Sequence, residues 1–161
     1  MNEHIWKKLG EVKAFAHACA DFLDRGRDGF TSAEIFSTEE IDQFVEKCQH
    51  HIKRIEEISA KAETSEIVNA KAEATGEKLS SMQELYLADE DDWQDGMELL
   101  EWSGFFFGGA VIHWRLIEGV GEHVHEADLT ALSASGLGFY TQIFETAGES
   151  IKALAKEEAA A

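Results

Sequence analysis

Seven histidines and two cysteines are the side chains best suited to metal or acid–base chemistry in this chain. Their value depends on which of them meet. His113 stands at the end of an uncharged run, Trp102 to Trp114, on a helical face with Trp102, Phe106, Ile117 and Val120. A buried imidazole can ligate a metal or haem, or move a proton, but every one of these tasks needs partners. A lone histidine on an apolar face is more often satisfied by a carbonyl, a hydroxyl or a carboxylate. His51, at the edge of a stripe formed by Ile41, Phe44, Val45, Cys48, Ile52 and Ile55, is the only other histidine with an inward orientation. Pairing of His51 with His113 would create a metal site. In Glu122-His123-Val124-His125-Glu126, His123 and His125 alternate. They share a side only if the segment is extended, where they could chelate Zn²⁺ or Cu²⁺. The sequence reads more simply there as a polar turn between helices.

The remaining chemical patterns are incomplete. Asp24, Asp28 and Gly29 stand where an EF-hand loop has its first, fifth and sixth residues, but Gly26 occupies the third place and Ile35 the twelfth, with Glu34 one residue early. Asp91, Asp95, Gly96 and Glu101 repeat the same broken spacing. Glu46 with His50, and Glu145 with Glu149, point away from the apolar faces of their helices. Cys19 and Cys48 lie within apolar helical patterns and read as small buried hydrophobes. The chain has no phosphate-cradling glycine loop, no nucleophile elbow and no paired Cys-x-x-Cys.

Five helical segments must position these groups. Ile5, Leu9, Val12, Ala16, Cys19 and Leu23 predict a helix over Glu3–Asp24, with His17 off the stripe and exposed. Arg25–Phe36 reads as a loop. Ser37 and Glu40 form a capping-box pattern that opens the next helix. Its stripe fades after Ile58, and residues 59–78 favour helix while offering little to bury. A break near Glu63–Ser65 is expected, before Leu79, Met82, Leu85 and Tyr86 resume the pattern. A long helix is expected over Asp92–Gly121, then a connector over Glu122–Asp128, then a helix over Leu129–Lys156.

The Trp102–Trp114 run shapes the expected architecture. Spanning a bilayer takes about 20 apolar residues, and shorter runs are more often buried core helices. A helix apolar on every side must be covered on every side. The Asp92–Gly121 helix is therefore expected to be the central, most buried member of an all-α, up-and-down bundle of four or five helices, forming one domain over 1–161. The absence of proline fits long helices. Thirty-two acids against fourteen bases give a net charge of −18, which disfavours nucleic acid and anionic membranes as partners. The first residues lack the apolar core of a signal peptide, and a cytoplasmic location with reduced thiols is expected.

Long helices of this number and length, with His113-Trp114 inside a buried one, resemble the ferritin-like four-helix bundle superfamily. That resemblance implies a dinuclear metal centre held by inward glutamates and Glu-x-x-His pairs. The matching ligands are not present at core positions, so none is carried over.

No complete catalytic set emerges, and no cofactor is required. The expected role is a non-enzymatic module that forms a homo-oligomer or binds a protein partner, since Trp6, Trp93, Trp102, Phe105, Phe107 and Trp114 exceed what one small bundle can hide. The alternatives are a metal-binding bundle in metal handling or redox chemistry, and a small-molecule-binding bundle. For the last, Gly104, Gly108 and Gly109 could leave a cavity lined by Phe105, Phe106, His113 and Trp114.

Overall fold

Asn2 opens the first helix, its side-chain oxygen accepting the Ile5 N–H at 3.1 Å. In the computed structural model, which describes residues 1–161, α1 runs from Glu3 to Arg25. It is followed by α2 (Arg27–Ser32), α3 (Thr38–Lys61), α4 (Ser65–Tyr86), a 3₁₀ turn at Asp92–Gln94, α5 (Gly96–Val124) and α6 (Ala127–Ala160). The fold is all-α, as expected.

Local chemistry sets the boundaries. The capping box forms in full: the Glu40 N–H donates to Ser37 Oγ at 3.1 Å, and the Ser37 N–H donates to the Glu40 carboxylate at 2.8 Å. The expected break between α3 and α4 is present, with Glu63 at φ 55° reversing the chain. Thr64 precedes α4, but its hydroxyl donates back to the Ser59 carbonyl at 3.3 Å instead of capping the new helix.

Three boundaries differ from the sequence reading. Arg25–Phe36 is not all loop, because Arg27–Ser32 closes into α2. The long helix starts at Gly96, since the Asp95 carboxylate accepts the Met97 N–H at 2.8 Å and leaves Asp92–Gln94 as a separate turn. Glu122–Val124 continue α5, and the reversal is made by His125 and Glu126, with His125 in the left-handed region at φ 54°.

α5 and α6, joined by those two residues, fold back on each other as the most extensive helix pair. α1 packs against α4, α3 and α5. Its approach to α4 depends on Gly10, where an added Cβ would lie 2.5 Å from the Val68 carbonyl oxygen. Every residue of Leu9–Ala16 is buried, so the most continuously covered stretch belongs to α1 and not to Trp102–Trp114. α5 does supply the large core rings Trp102, Phe106, Phe107 and Trp114, each worth on the order of 2–3 kcal/mol of burial. It is nonetheless covered on one side only. Phe105 is 60% exposed and Ile112 69%, because the other helices pack on the opposite flank and only the Tyr86 ring, at the end of α4, reaches Phe105, at 4.9 Å. No helix is long and apolar enough to cross a membrane.

Candidate functional site

The two inward histidines do not meet. His51 is fully buried on α3, among the rings of Trp114 (5.3 Å between centroids), Phe139 (5.9 Å) and Tyr140 (6.4 Å). Its Nε2 lies 3.0 Å from the Ser135 hydroxyl, and its Nδ1 has no partner. Burial first, then the charges of Lys47 and His50, push its pKa down to about 4. It is therefore neutral at physiological pH. The Trp114 indole N–H beside it is also buried and unbonded. Such orphaned groups cost roughly 1–3 kcal/mol each. The thiols of Cys19 and Cys48 are neighbours of each other and of the Tyr140 hydroxyl, and burial, followed by Cys48, pushes the Cys19 thiol well up. A protonated, enclosed thiol such as that of Cys19 is a poor nucleophile.

His113 sits on the other side of α5 and is half-buried. Its Nδ1–H donates to the Gly109 carbonyl at 2.7 Å, and its Nε2 faces the Glu11 carboxylate at 3.4 Å. Phe15 packs on the ring at 4.8 Å. Glu11 is the only buried carboxylate in the protein. It also receives Lys8 at 3.0 Å and Lys71 at 3.4 Å. Burial raises the Glu11 carboxyl, but the hydrogen bond and charge of Lys8, with His113 and Lys71, more than offset it, and the carboxyl sits below its ordinary value. This junction ties α1 to α4 and α5. Glu11 lies outside the stripe of Ile5, Leu9, Val12, Ala16, Cys19 and Leu23 by which the sequence marks the first helix. The missed signal is Gly10 beside Glu11, where α4 comes close enough to cover an acid.

The other candidate ligands stay apart. His123 is an exposed residue of α5 and His125 is the left-handed residue that follows it, so the extended chelating segment does not form. α2 occupies the incomplete EF-hand stretch, and Arg27 engages Asp24 at 2.7 Å and Asp42 at 2.8 Å. Glu46, His50, Glu145 and Glu149 are exposed. No group of three or more histidine, cysteine or acidic side chains converges anywhere.

Of the seven aromatic residues named for an interface or cavity, six are buried and Phe105 alone is exposed. It belongs to an open apolar face. Phe105, Ile112 and Leu116 line one side of α5, and Phe144 stands beside them on α6. A shallow groove of about 420 Å³ runs between the helices past Leu100, Gly104, Phe105, Phe144, Gly148 and Ile151. A Cβ at Gly104 would meet nothing within 4 Å, whereas one at Gly108 would lie 3.4 Å from the Phe144 ring. The sequence does not single out Ile112, because a helix without a polar face gives no sign of which side is open, and Phe144, which falls on the apolar face of the last helix, is 42% exposed.

Phe105, Phe106, His113 and Trp114 take different surroundings: Phe105 is exposed, Phe106 and Trp114 are buried, and His113 packs on Phe15 beside Glu11. A cavity of about 470 Å³ lies between α1 and α4, with Trp102 and Phe106 of α5 at its base. The Trp102 indole N–H is buried and has no partner. The chain matches no protein-family model, no curated protein and no solved structure.

Proposed function

We propose that this protein is a non-enzymatic interaction module that forms a homodimer through the open face of α5 and α6. The observation that carries this reading is the exposure of Ile112 and Phe105 on a stretch of α5 that has no charged residue between Glu101 and Arg115. Contiguous exposed apolar surface of this kind marks association sites.

The face is suited to a second copy of itself. Gly104 and Ile112 lie four residues on either side of Gly108, and Glu101 and Arg115 lie seven. Two copies packed antiparallel about Gly108 place Ile112 of each opposite the open Gly104 position of the other. The same register sets Arg115 opposite Glu101. Such an isologous contact closes on itself and does not propagate. From Glu101 to Gly119 the helix is about 28 Å long. With α6 alongside, the footprint is roughly 550 Å² per copy, just below the ~600–1,000 Å² per partner of stable pairs, so a weak, concentration-dependent dimer is expected.

Sedimentation equilibrium across a concentration series tests this. The wild type should pass from monomer to dimer, and Ile112→Asp should remain monomeric with unchanged helical circular dichroism. A wild type that stays monomeric throughout, or an Ile112→Asp variant that dimerises as well as the parent, overturns the proposal.

A further inference from the structure

The apolar stripe of α4 is uncovered where the helix ends. Leu79 is buried, but Met82 and Tyr86 are exposed and Leu85 is 81% exposed. At spacings of three and four, these three share one face of the last turns of α4. The helix packs on α1 further back, at Gly10, and its last turn meets α5 through Tyr86. The Tyr86 ring lies 4.9 Å from that of Phe105, which is also exposed. The four side chains therefore form one apolar patch across α4 and α5, of the kind that marks association sites. Flexible methionine and leucine beside two rings adapt readily to the apolar side chains of a partner.

Charge narrows what can cover it. Between Lys78 and Arg115 the chain holds eight acids, from Glu84 to Glu101, and no lysine or arginine. Of these acids only Glu90 is paired, with Arg25 at 3.4 Å. Glu98 and Glu101 stand seven and four residues before Phe105, on the same face of α5. Burial, then the charges of Glu101, Asp92 and Asp95, hold the Glu98 carboxyl above its ordinary value. Acids without counter-ions thus crowd the edge of the patch. A second copy would set these acids against each other, and an anionic lipid surface would be repelled in the same way. A basic partner is drawn in.

We infer that this patch docks a basic amphipathic helix of a protein partner, whose apolar stripe covers Met82, Leu85, Tyr86 and Phe105 while its lysines and arginines meet Glu98 and Glu101. Neighbouring stripe residues of a helix lie about 5–6 Å apart. That is close to the 4.9 Å between the Tyr86 and Phe105 rings, whereas alternate side chains of an extended segment lie about 7 Å apart. A few anchors at helical spacing are what such docking uses. Met82, Leu85 and Tyr86 lie outside the α5–α6 face assigned to the homodimer, so the site stands whether or not the protein dimerises.

The probe is a fluorescein-labelled peptide of about 18 residues, with leucines at spacings of three and four and lysines elsewhere. By fluorescence anisotropy in about 0.1 M sodium chloride, it should bind the full-length protein with a dissociation constant of about 10 µM or tighter. Ile112→Asp should bind it at least as tightly, since no dimer is required. A peptide of the same composition, with its leucines scattered round the helix, keeps the charge and should bind about tenfold more weakly or worse. Met82→Ser with Leu85→Ser changes only exposed positions, so helical circular dichroism should hold while the striped peptide binds about tenfold more weakly. Glu98→Gln with Glu101→Gln should weaken it about fivefold. Glu63→Gln with Glu66→Gln removes the same charge at the other end of α4 and should change binding by no more than about twofold. No saturable binding at about 100 µM protein overturns the inference. So do equal affinities for the two peptides, undiminished binding after loss of Met82 and Leu85, or equal losses from the two pairs of acid substitutions.

Discussion

Trp114 lies directly against the bare backbone of Gly136: a Cβ added there would fall 2.4–2.5 Å from three atoms of the indole. The ring has no room to retreat, because His51 and Tyr140 pack around it at centroid distances of 5.3 and 6.4 Å. Overpacking at a rigid, buried contact is destabilising. Gly136→Ala is therefore expected to cost about 3 kcal/mol in urea unfolding. Gly138→Ala, two residues along the same helix, places its Cβ in open space. It should stabilise by roughly 0.5–1 kcal/mol through helix propensity. Similar effects at both positions would mean that the Trp114 contact does not set the spacing of α5 and α6.

The contrast between those glycines shows what sequence can and cannot convey. Periodicity located the long helices and the Ser37–Glu40 cap, because stripes and caps are local patterns. It did not show that α1 is the most continuously buried helix. Glu11 and Lys13 look like solvent-facing residues, yet both are buried and paired with residues far along the chain, Lys71 and His113 for Glu11, Asn69 and Glu56 for Lys13. α5 misled in the opposite direction. Its freedom from charge suggested cover on every side, whereas Phe105 and Ile112 face outward. Which side of an all-apolar helix is left open depends on neighbours chosen by topology. The α1–α4 cavity was equally hidden, since alanines at helical spacing look the same whether the gap between them is filled or empty.

His51 makes acid stability informative. Burial, with Lys47 and His50, lowers its pKa from 6.5 to about 4 in the folded protein. Between those values the unfolded chain binds a proton that the folded protein does not, so stability is complete above about pH 6.5 and declines as pH falls toward 4. The loss is about 2 kcal/mol by about pH 5 and on the order of 3 kcal/mol by pH 4. Urea unfolding of wild type and His51→Gln at about pH 7 and about pH 5 isolates this contribution, because glutamine keeps a polar group for Ser135 but does not titrate. The wild type should lose distinctly more stability than the variant over that interval. Parallel losses in the two would place the acid sensitivity elsewhere.

Glu11 joins three helices and should respond differently from a surface acid. With Lys8, Lys71 and His113 all directed at one carboxylate, Glu11→Gln removes the charge that those groups share while keeping the shape of the side chain. A loss of about 1–2 kcal/mol at neutral pH is expected from leaving the partly covered ammonium groups of Lys8 and Lys71 without their partner. Glu3, whose partner Lys7 lies 2.6 Å away on the solvent side of α1, supplies the comparison. Glu3→Gln should leave the unfolding midpoint essentially unchanged, because exposed pairs of this kind contribute little. Equal effects would mean that the junction is no stronger than an ordinary surface ion pair.

The proposed dimer can be tested by the direction of its salt dependence. Each copy carries a net charge of −18, so association brings like charges together around an uncharged centre. Salt shortens the reach of that repulsion from about 10 Å at 0.1 M to about 3 Å at 1 M. It leaves the burial of Phe105, Ile112 and Phe144 undiminished. The dimer dissociation constant should therefore fall several-fold between about 0.1 M and 1 M sodium chloride. Phe144→Ala, which trims the face without adding charge, should weaken association at every salt concentration while keeping that trend. A pairing held mainly by ion pairs such as Glu101 with Arg115 would weaken as salt rises. Sedimentation equilibrium in the two salts separates the cases, and a constant that increases with salt would show that the apolar face of α5 and α6 is not what holds the copies together.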